Sequence, residues 1–239
     1  MNTTYILEKS RVVFQEKDES NYHVFYQLLK SGDEALISRC HLKEFVVNPE
    51  LAGSINQSGC ISIEDVDDRA DFNEMNVSFQ SIGFSRPDVE SLYDIVAAIM
   101  HFSNIDFDSH PTNSEESIIR CSSERYLACG TELFGVNPEL LQKALLFKMI
   151  KSGGGRRSSV AFSTLLPPAA YENKNALVKE IYNRCFDWIV GQINILMGFD
   201  PANAERMIGI LDIFGFEIFQ KACAIVFNKC VDIDVILFY

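Results

Sequence analysis

The chain has 239 residues, Lys+Arg 21 against Asp+Glu 33, a formal net charge of -12, 47% hydrophobic and 23% charged residues. That mix excludes a disordered or collagen-like chain. So acidic a surface disfavours nucleic acid unless one face is locally basic, and it disfavours an anionic membrane. The start, Met1–Tyr5, shows neither the basic nor the apolar region of a secretory leader. No run of about 18 residues is free of charge, so no membrane-spanning helix is expected. Helical periodicity dominates from the beginning. Arg11 to Gln15 is a candidate strand, after which Tyr22, Phe25, Tyr26 and Leu29 predict a helix over Asp18 to Leu29, stopped near Gly32. Phe72, Met75, Phe79 and Ile82 predict a second helix over Asp68 to Ile82. Ser85 caps a third, whose buried stripe is Val89, Leu92, Val96 and Ile99. Ser103–Glu116 and Ser152–Ser159 read as polar surface loops. Between them, Asn137-Pro138 opens a helix carrying Leu141, Ala144, Leu145 and Met149. The longest helix is expected from about Asn173 to Met197, ended by Gly198.

The apolar run Met207 to Ile213 suits a strand buried on both faces, as in a parallel sheet. One such strand cannot bury itself, so the sequence reads as part of an α/β domain whose other strands lie elsewhere. The seven cysteines are odd in number, spread out and without a C-x-x-C pair, which fits reduced thiols in a cytosolic protein. The N-x-[ST] triplets at Asn2, Asn56 and Asn76 carry no meaning without secretion. The four histidines are scattered, and no metal or catalytic histidine is expected.

Chemistry concentrates where the apolar run ends. Asp212 stands at its carboxyl end and Gly215 follows three residues later. In phosphate-binding folds a carboxylate at that point holds the Mg²⁺ shell, and a glycine lets a bare amide approach the γ-phosphate. A strand that simply ends in a turn capped by Asp212 would look the same. The longer string Leu211-Asp212-Ile213-Phe214-Gly215-Phe216-Glu217-Ile218-Phe219 closely resembles the switch II element of the myosin motor domain. Further stretches match that family in the same order: Tyr5–Phe14, Asn21–Leu29, Ile55–Cys60, Phe79–Phe84, His101–Ile105 and Asn175–Val190. The likeness runs from about Tyr5 to Gln220.

The resemblance implies a mostly α-helical fragment of an α/β P-loop NTPase motor domain: the helical subdomain of the upper actin cleft, plus one buried strand of the central sheet. It implies a partial motor domain over 1–220 and a divergent apolar tail over 221–239. By resemblance Asp212 is the water-mediated Mg²⁺ ligand and Gly215 the amide donor to the γ-phosphate. Glu217 is the switch II carboxylate that pairs with a switch I arginine. Neither that arginine's Asn-x-Asn-Ser-Ser-Arg motif nor a Gly-x-x-x-x-Gly-Lys-[Ser/Thr] loop occurs in the chain. ATP and Mg²⁺ are therefore expected only in a complete motor, and the chain alone is expected to be inactive.

Lys148, Lys151, Arg156 and Arg157 gather four positive charges around three glycines, in an otherwise acidic chain. On composition alone this could be a solvated helix end favoured by the helix dipole. The resemblance makes it the family's actin-contacting loop, with Arg156 and Arg157 as contacts. The family carries an acidic or phosphorylatable residue sixteen positions before its Asp-Ala-Leu-Ala-Lys motif. That motif begins here at Asn175, and counting back reaches Ser159, which follows Arg156-Arg157 as basophilic kinases favour; Ser158 is the competing acceptor. Phosphate there would add about -1.5 to -2 charges. The implied partner is the actin filament, in a cytoplasmic, cytoskeletal setting, with no nucleic acid, no membrane insertion and no light chain on this segment. The family pattern is lost at both ends, which suggests a truncated gene model or a remnant. A shifted frame or retained intron after about Gln220 would produce the apolar tail, whose Val235–Tyr239 stretch is an aggregation hazard if exposed. A stand-alone, non-catalytic module binding actin or another protein is the alternative.

Overall fold

The computed structural model describes residues 7–63, 66–152 and 159–198. The chain divides into two units, Met1–Phe199 and Asp200–Tyr239, and every described residue belongs to the first. It is mostly helical, with two antiparallel hairpins.

The first segment departs from the expected strand over Arg11 to Gln15. Lys9–Val12 is instead a 3₁₀ turn, because the amides of Val13 and Phe14 both return to the Ser10 carbonyl at 3.1 and 2.9 Å. The next helix, α1 (His23–Leu29), begins at His23 rather than Asp18. Asp18 sits at φ +67°, which a right-handed helix cannot contain. Asn21 is buried, its side chain donating to the Ser54 carbonyl at 2.6 Å and accepting from the Tyr22 amide at 2.7 Å. Two short helices follow, α2 (Glu34–Arg39) and α3 (Lys43–Val47), neither signalled by periodicity because neither reaches two full turns.

The next two helices match their expected positions. α4 (Asp68–Ile82) is capped by Asp67, which accepts from the Arg69 and Ala70 amides at 3.1 Å. In α5 (Arg86–Ser103), Ser85 accepts from the Asp88 amide. The expected stripe faces inward, yet Val96–Phe102 is buried at every position, so this helix is wrapped rather than one-faced. α1, α6 (Glu124–Phe134) and α8 (Pro167–Leu196) pack on it.

The polar stretch expected as a loop over Ser103–Glu116 folds in large part into a hairpin, β1 (Phe107–His110) with β2 (Asn113–Ile119). Its exposed tip is what made the composition read as a loop. Its anchors, Phe107 and Ile119, lie opposite one another in the core. α7 (Pro138–Leu146) has the expected cap, Asn137 accepting from the Leu140 amide at 3.0 Å. It stops at Leu146, so Met149 and the basic residues Lys148 and Lys151 stand on a strand, not on a helix. That strand, β3 (Phe147–Ser152), pairs with β4 (Ser159–Thr164). Ser152 and Ser159, expected to bound a loop, are thus strand ends. α8 starts at Pro167 rather than Asn173, because Pro167 and Pro168 occupy its first turn, where proline's missing amide costs nothing.

Candidate functional site

The β3–β4 ribbon follows α7 without a linker. Its base is tied down by the Leu165 amide donating to the Leu146 carbonyl at 2.9 Å and by Ser117 Oγ donating to the Leu165 carbonyl at 2.7 Å. The register runs from Phe147 opposite Thr164 to Ser152 opposite Ser159. Met149 pairs with Phe162, and their side chains stay 53% and 69% exposed; Ile150 is 45% exposed. Strand alternation puts Met149 and Phe162 on one face of the ribbon and Lys148 and Ile150 on the other, so each face carries large apolar area in water, suited to a partner rather than to a core. Arg156 and Arg157 lie outside the described residues, in the connection that the register closes at Ser152 and Ser159. The expected acceptor Ser159 is the first residue of β4.

A second concentration of polar groups sits where α5 ends and β1 begins, over Ser103–Phe107. Asn104 donates to the Leu51 carbonyl at 2.6 Å and accepts from the Gly53 amide at 2.7 Å. The Asp106 amide donates to Ser123 Oγ, and its carboxylate accepts from Tyr171 Oη at 2.9 Å and Arg120 Nη1 at 2.8 Å. Arg120 also grips Asp108 through Nη2 at 3.0 Å, and that hydrogen-bonded guanidinium holds the Asp108 carboxyl below its usual range. Tyr171 Oη accepts in turn from the Phe107 amide. Lys174, 6% exposed, sends its ammonium to the carbonyls of Ser103 and Ile105, each at 2.9 Å, and lies 5.1 Å from the centroid of the Tyr171 ring. Burial brings its pKa down to about 8, with the nearby Asp106 carboxylate opposing that shift.

Sequence reasoning passed over Lys174, Tyr171 and Arg120. A signal for Lys174 was present: it occupies the Ala170, Lys174, Val178 positions of the buried stripe of α8, where a lysine needs a partner. The expected nucleotide residues Asp212, Gly215 and Glu217, and the Met207 to Ile213 strand, lie outside the described residues. Among the described residues no group of three or more His, Cys, Asp or Glu could hold a metal ion. None of their helices is long and apolar enough to cross a membrane.

A family model described as Myosin head (motor domain) matches residues 2–228. The chain belongs to that family. Among curated relatives, it is 36% identical over 222 residues to the myosin ID heavy chain of Dictyostelium discoideum, covering 92% of this chain and 20% of the relative. It is 36% identical over 219 residues to the myosin-K heavy chain of the same organism, with 92% and 24% covered. Against the human unconventional myosin-XV it is 34% identical over 217 residues, covering 91% of this chain and 6% of the relative. The chain thus spans a quarter or less of the length of these myosins.

Proposed function

We propose that this myosin chain is the upper-cleft part of an actin-based motor that couples Mg-ATP hydrolysis to movement on actin filaments in the cytoplasm. The observation that carries this reading is the family match across residues 2–228, which takes in both the β3–β4 ribbon and the Leu211–Phe219 string. The ribbon supports it in physical terms, offering apolar side chains with basic residues at a site where an acidic chain otherwise repels acidic partners. Arg156 and Arg157 make the electrostatic contact to actin, and Met149 and Phe162 supply apolar area. Phosphorylation of Ser159 tunes that contact.

On this reading residues 1–220 are motor sequence of the α/β P-loop NTPase class, residues 221–239 a divergent tail into whose first eight residues the family match still reaches, and Met207 to Ile213 a strand of the central sheet. Asp212 holds the Mg²⁺ shell through water, Gly215 donates its amide to the γ-phosphate, and Glu217 pairs with a switch I arginine supplied outside this sequence. Mg-ATP supplies the hydrolysable phosphoanhydride. What this chain contributes is one wall of its site and the closing carboxylate. Since the chain contains no phosphate loop, the 239-residue polypeptide by itself holds no triphosphate. Fluorescent-nucleotide titration of that polypeptide is expected to show no saturable binding, and micromolar affinity would overturn this.

Co-sedimentation of the full chain with filamentous actin tests the partner. Binding that falls steeply as salt rises is expected, since surface charges more than about 8–10 Å apart are screened near physiological ionic strength. No binding at low salt overturns the actin assignment. Binding without any nucleotide-dependent activity in the longest natural form of the chain would favour the alternative, a non-catalytic filament-binding module.

A further inference from the structure

The α5–β1 corner gathers more polar connections than its length suggests, and at its centre is a lysine that reaches in from a different helix. The backbone carbonyls at the end of α5 have no following helical turn to donate to them, and they carry the negative end of the helix dipole. The basic residue in the last turn of α5 is His101, which is buried, and burial lowers its pKa, favouring the neutral imidazole. The compensating cation therefore comes from α8. Lys174 delivers two N–H···O bonds of 2.9 Å, to Ser103 and to Ile105, while the ring of Tyr171, one turn earlier on α8, lies alongside. Tyr171 itself is tied to the Phe107 amide and the Asp106 carboxylate. Thus α8 holds the corner at two successive turns, a short distance after the Leu165 amide has anchored the base of the β3–β4 ribbon.

We propose that Lys174 is a positioning residue of α8, a buried amino group whose two N–H···O bonds, which the neutral amine also makes, fix where the long helix lies along α5 and the β1 strand. Apolar burial along α8 is non-directional and opposes a shift only through shape, whereas two bonds from one nitrogen to two particular carbonyls are lost outright by one. The inference stands without the motor reading and concerns only the described residues.

The proposal has a proton signature. The charged and titratable groups facing the amine are Asp106 from the corner and Tyr171 from its own helix; behind Asp106 stands Arg120 from the end of β2. In the closed structure the amine gives up its proton at about 8. In water a lysine keeps it to about 10.4. Between those limits, separating α8 from the corner takes up one proton, so the opening equilibrium falls close to tenfold per pH unit.

Hydrogen exchange on the full chain, corrected for base catalysis, tests this from about pH 7 to 10. Wild type is expected to show protection of the Ser103–Phe107 amides rising above about pH 8. Lys174→Met should exchange at least about tenfold faster there at pH 7, with no pH-dependent rise, while α1 and α2 keep their protection. Lys174→Arg should restore the neutral-pH protection without the rise, since a guanidinium stays charged. Uniform acceleration across all helices in Lys174→Met, or a pH-dependent rise that persists in it, would overturn the proposal. Should Lys174→Met fail to fold, the wild-type profile decides alone: no rise above about pH 8 also overturns it.

Discussion

At Gly130, in the middle of α6, a Cβ would stand 2.4 and 2.6 Å from two ring atoms of Phe102. Replacing a helical glycine by alanine ordinarily gains up to about 1 kcal/mol. Here the neighbour is a buried core ring, edge-on to Phe134, which the added Cβ would have to displace. The clash outweighs the propensity gain. Gly130→Ala should therefore lower stability by about 1–3 kcal/mol in denaturant titration, the range for overpacked cores. His101 gives the matching electrostatic case. Its Nε2 lies 3.0 Å from the Cys40 carbonyl, which fixes it as the donor nitrogen, and Nδ1 is buried with no hydrogen-bond partner among the described residues. Burial lowers its pKa, helped by His41 and Arg125 and opposed by the Cys40 hydrogen bond and Glu44. A depressed folded pKa means that the unfolded chain binds the extra proton first. The stabilising contribution is present above the ordinary imidazole range near 6.5 and is lost as pH falls through the lower folded value. Melting temperature should thus drop between about pH 7 and 5, and His101→Leu should flatten that drop. An unchanged slope in the variant would place the acid sensitivity elsewhere.

Single helices behave differently along their length. At Gly191 in α8 an added Cβ would meet nothing within 4 Å, in contrast to Gly130. Gly191→Ala should accordingly stabilise by up to about 1 kcal/mol, read from the same titration. On the β3–β4 ribbon, Phe162→Ser removes a side chain that is 69% exposed. Its stability should shift by no more than about 0.5 kcal/mol, while on the proposed actin contact co-sedimentation should weaken. A large loss of stability would make the ribbon part of a core instead. How much of these elements was legible follows from what each depends on. α4, α5 and α7 carry repeated stripes within their own sequence, so the stripe alone starts α4 at Asp68 and the caps Ser85 and Asn137 mark the starts of α5 and α7. α2 and α3 are too short for a period to repeat. The β1–β2 hairpin is polar at its tip and apolar only at Phe107 and Ile119, twelve residues apart in sequence and opposite in space, a pairing no local window contains. For the candidate site, the basic cluster and the string at Leu211–Phe219 are plain in the sequence. The Lys174 corner is not, since its carbonyl partners belong to a segment about seventy residues earlier.

Across the whole molecule the charge of -12 opposes any acidic partner, and the basic connection between β3 and β4 is the local exception. On the proposed actin contact, replacing both Arg156 and Arg157 by Ala should leave melting unchanged and weaken binding mainly by slowing association, with the difference vanishing at high salt. Equal association rates at low salt would remove these arginines from the contact. The way the ribbon is rooted adds a mechanical consequence. A pull at its tip along the strands draws β3 and β4 in the same sense, so the ladder between them is not sheared. The tension passes instead to the Leu146–Leu165 junction. There it divides between α7, which runs directly into β3, and α8, which is separated from β4 by two residues, so a load carried by the two strands reaches both helices across little intervening chain.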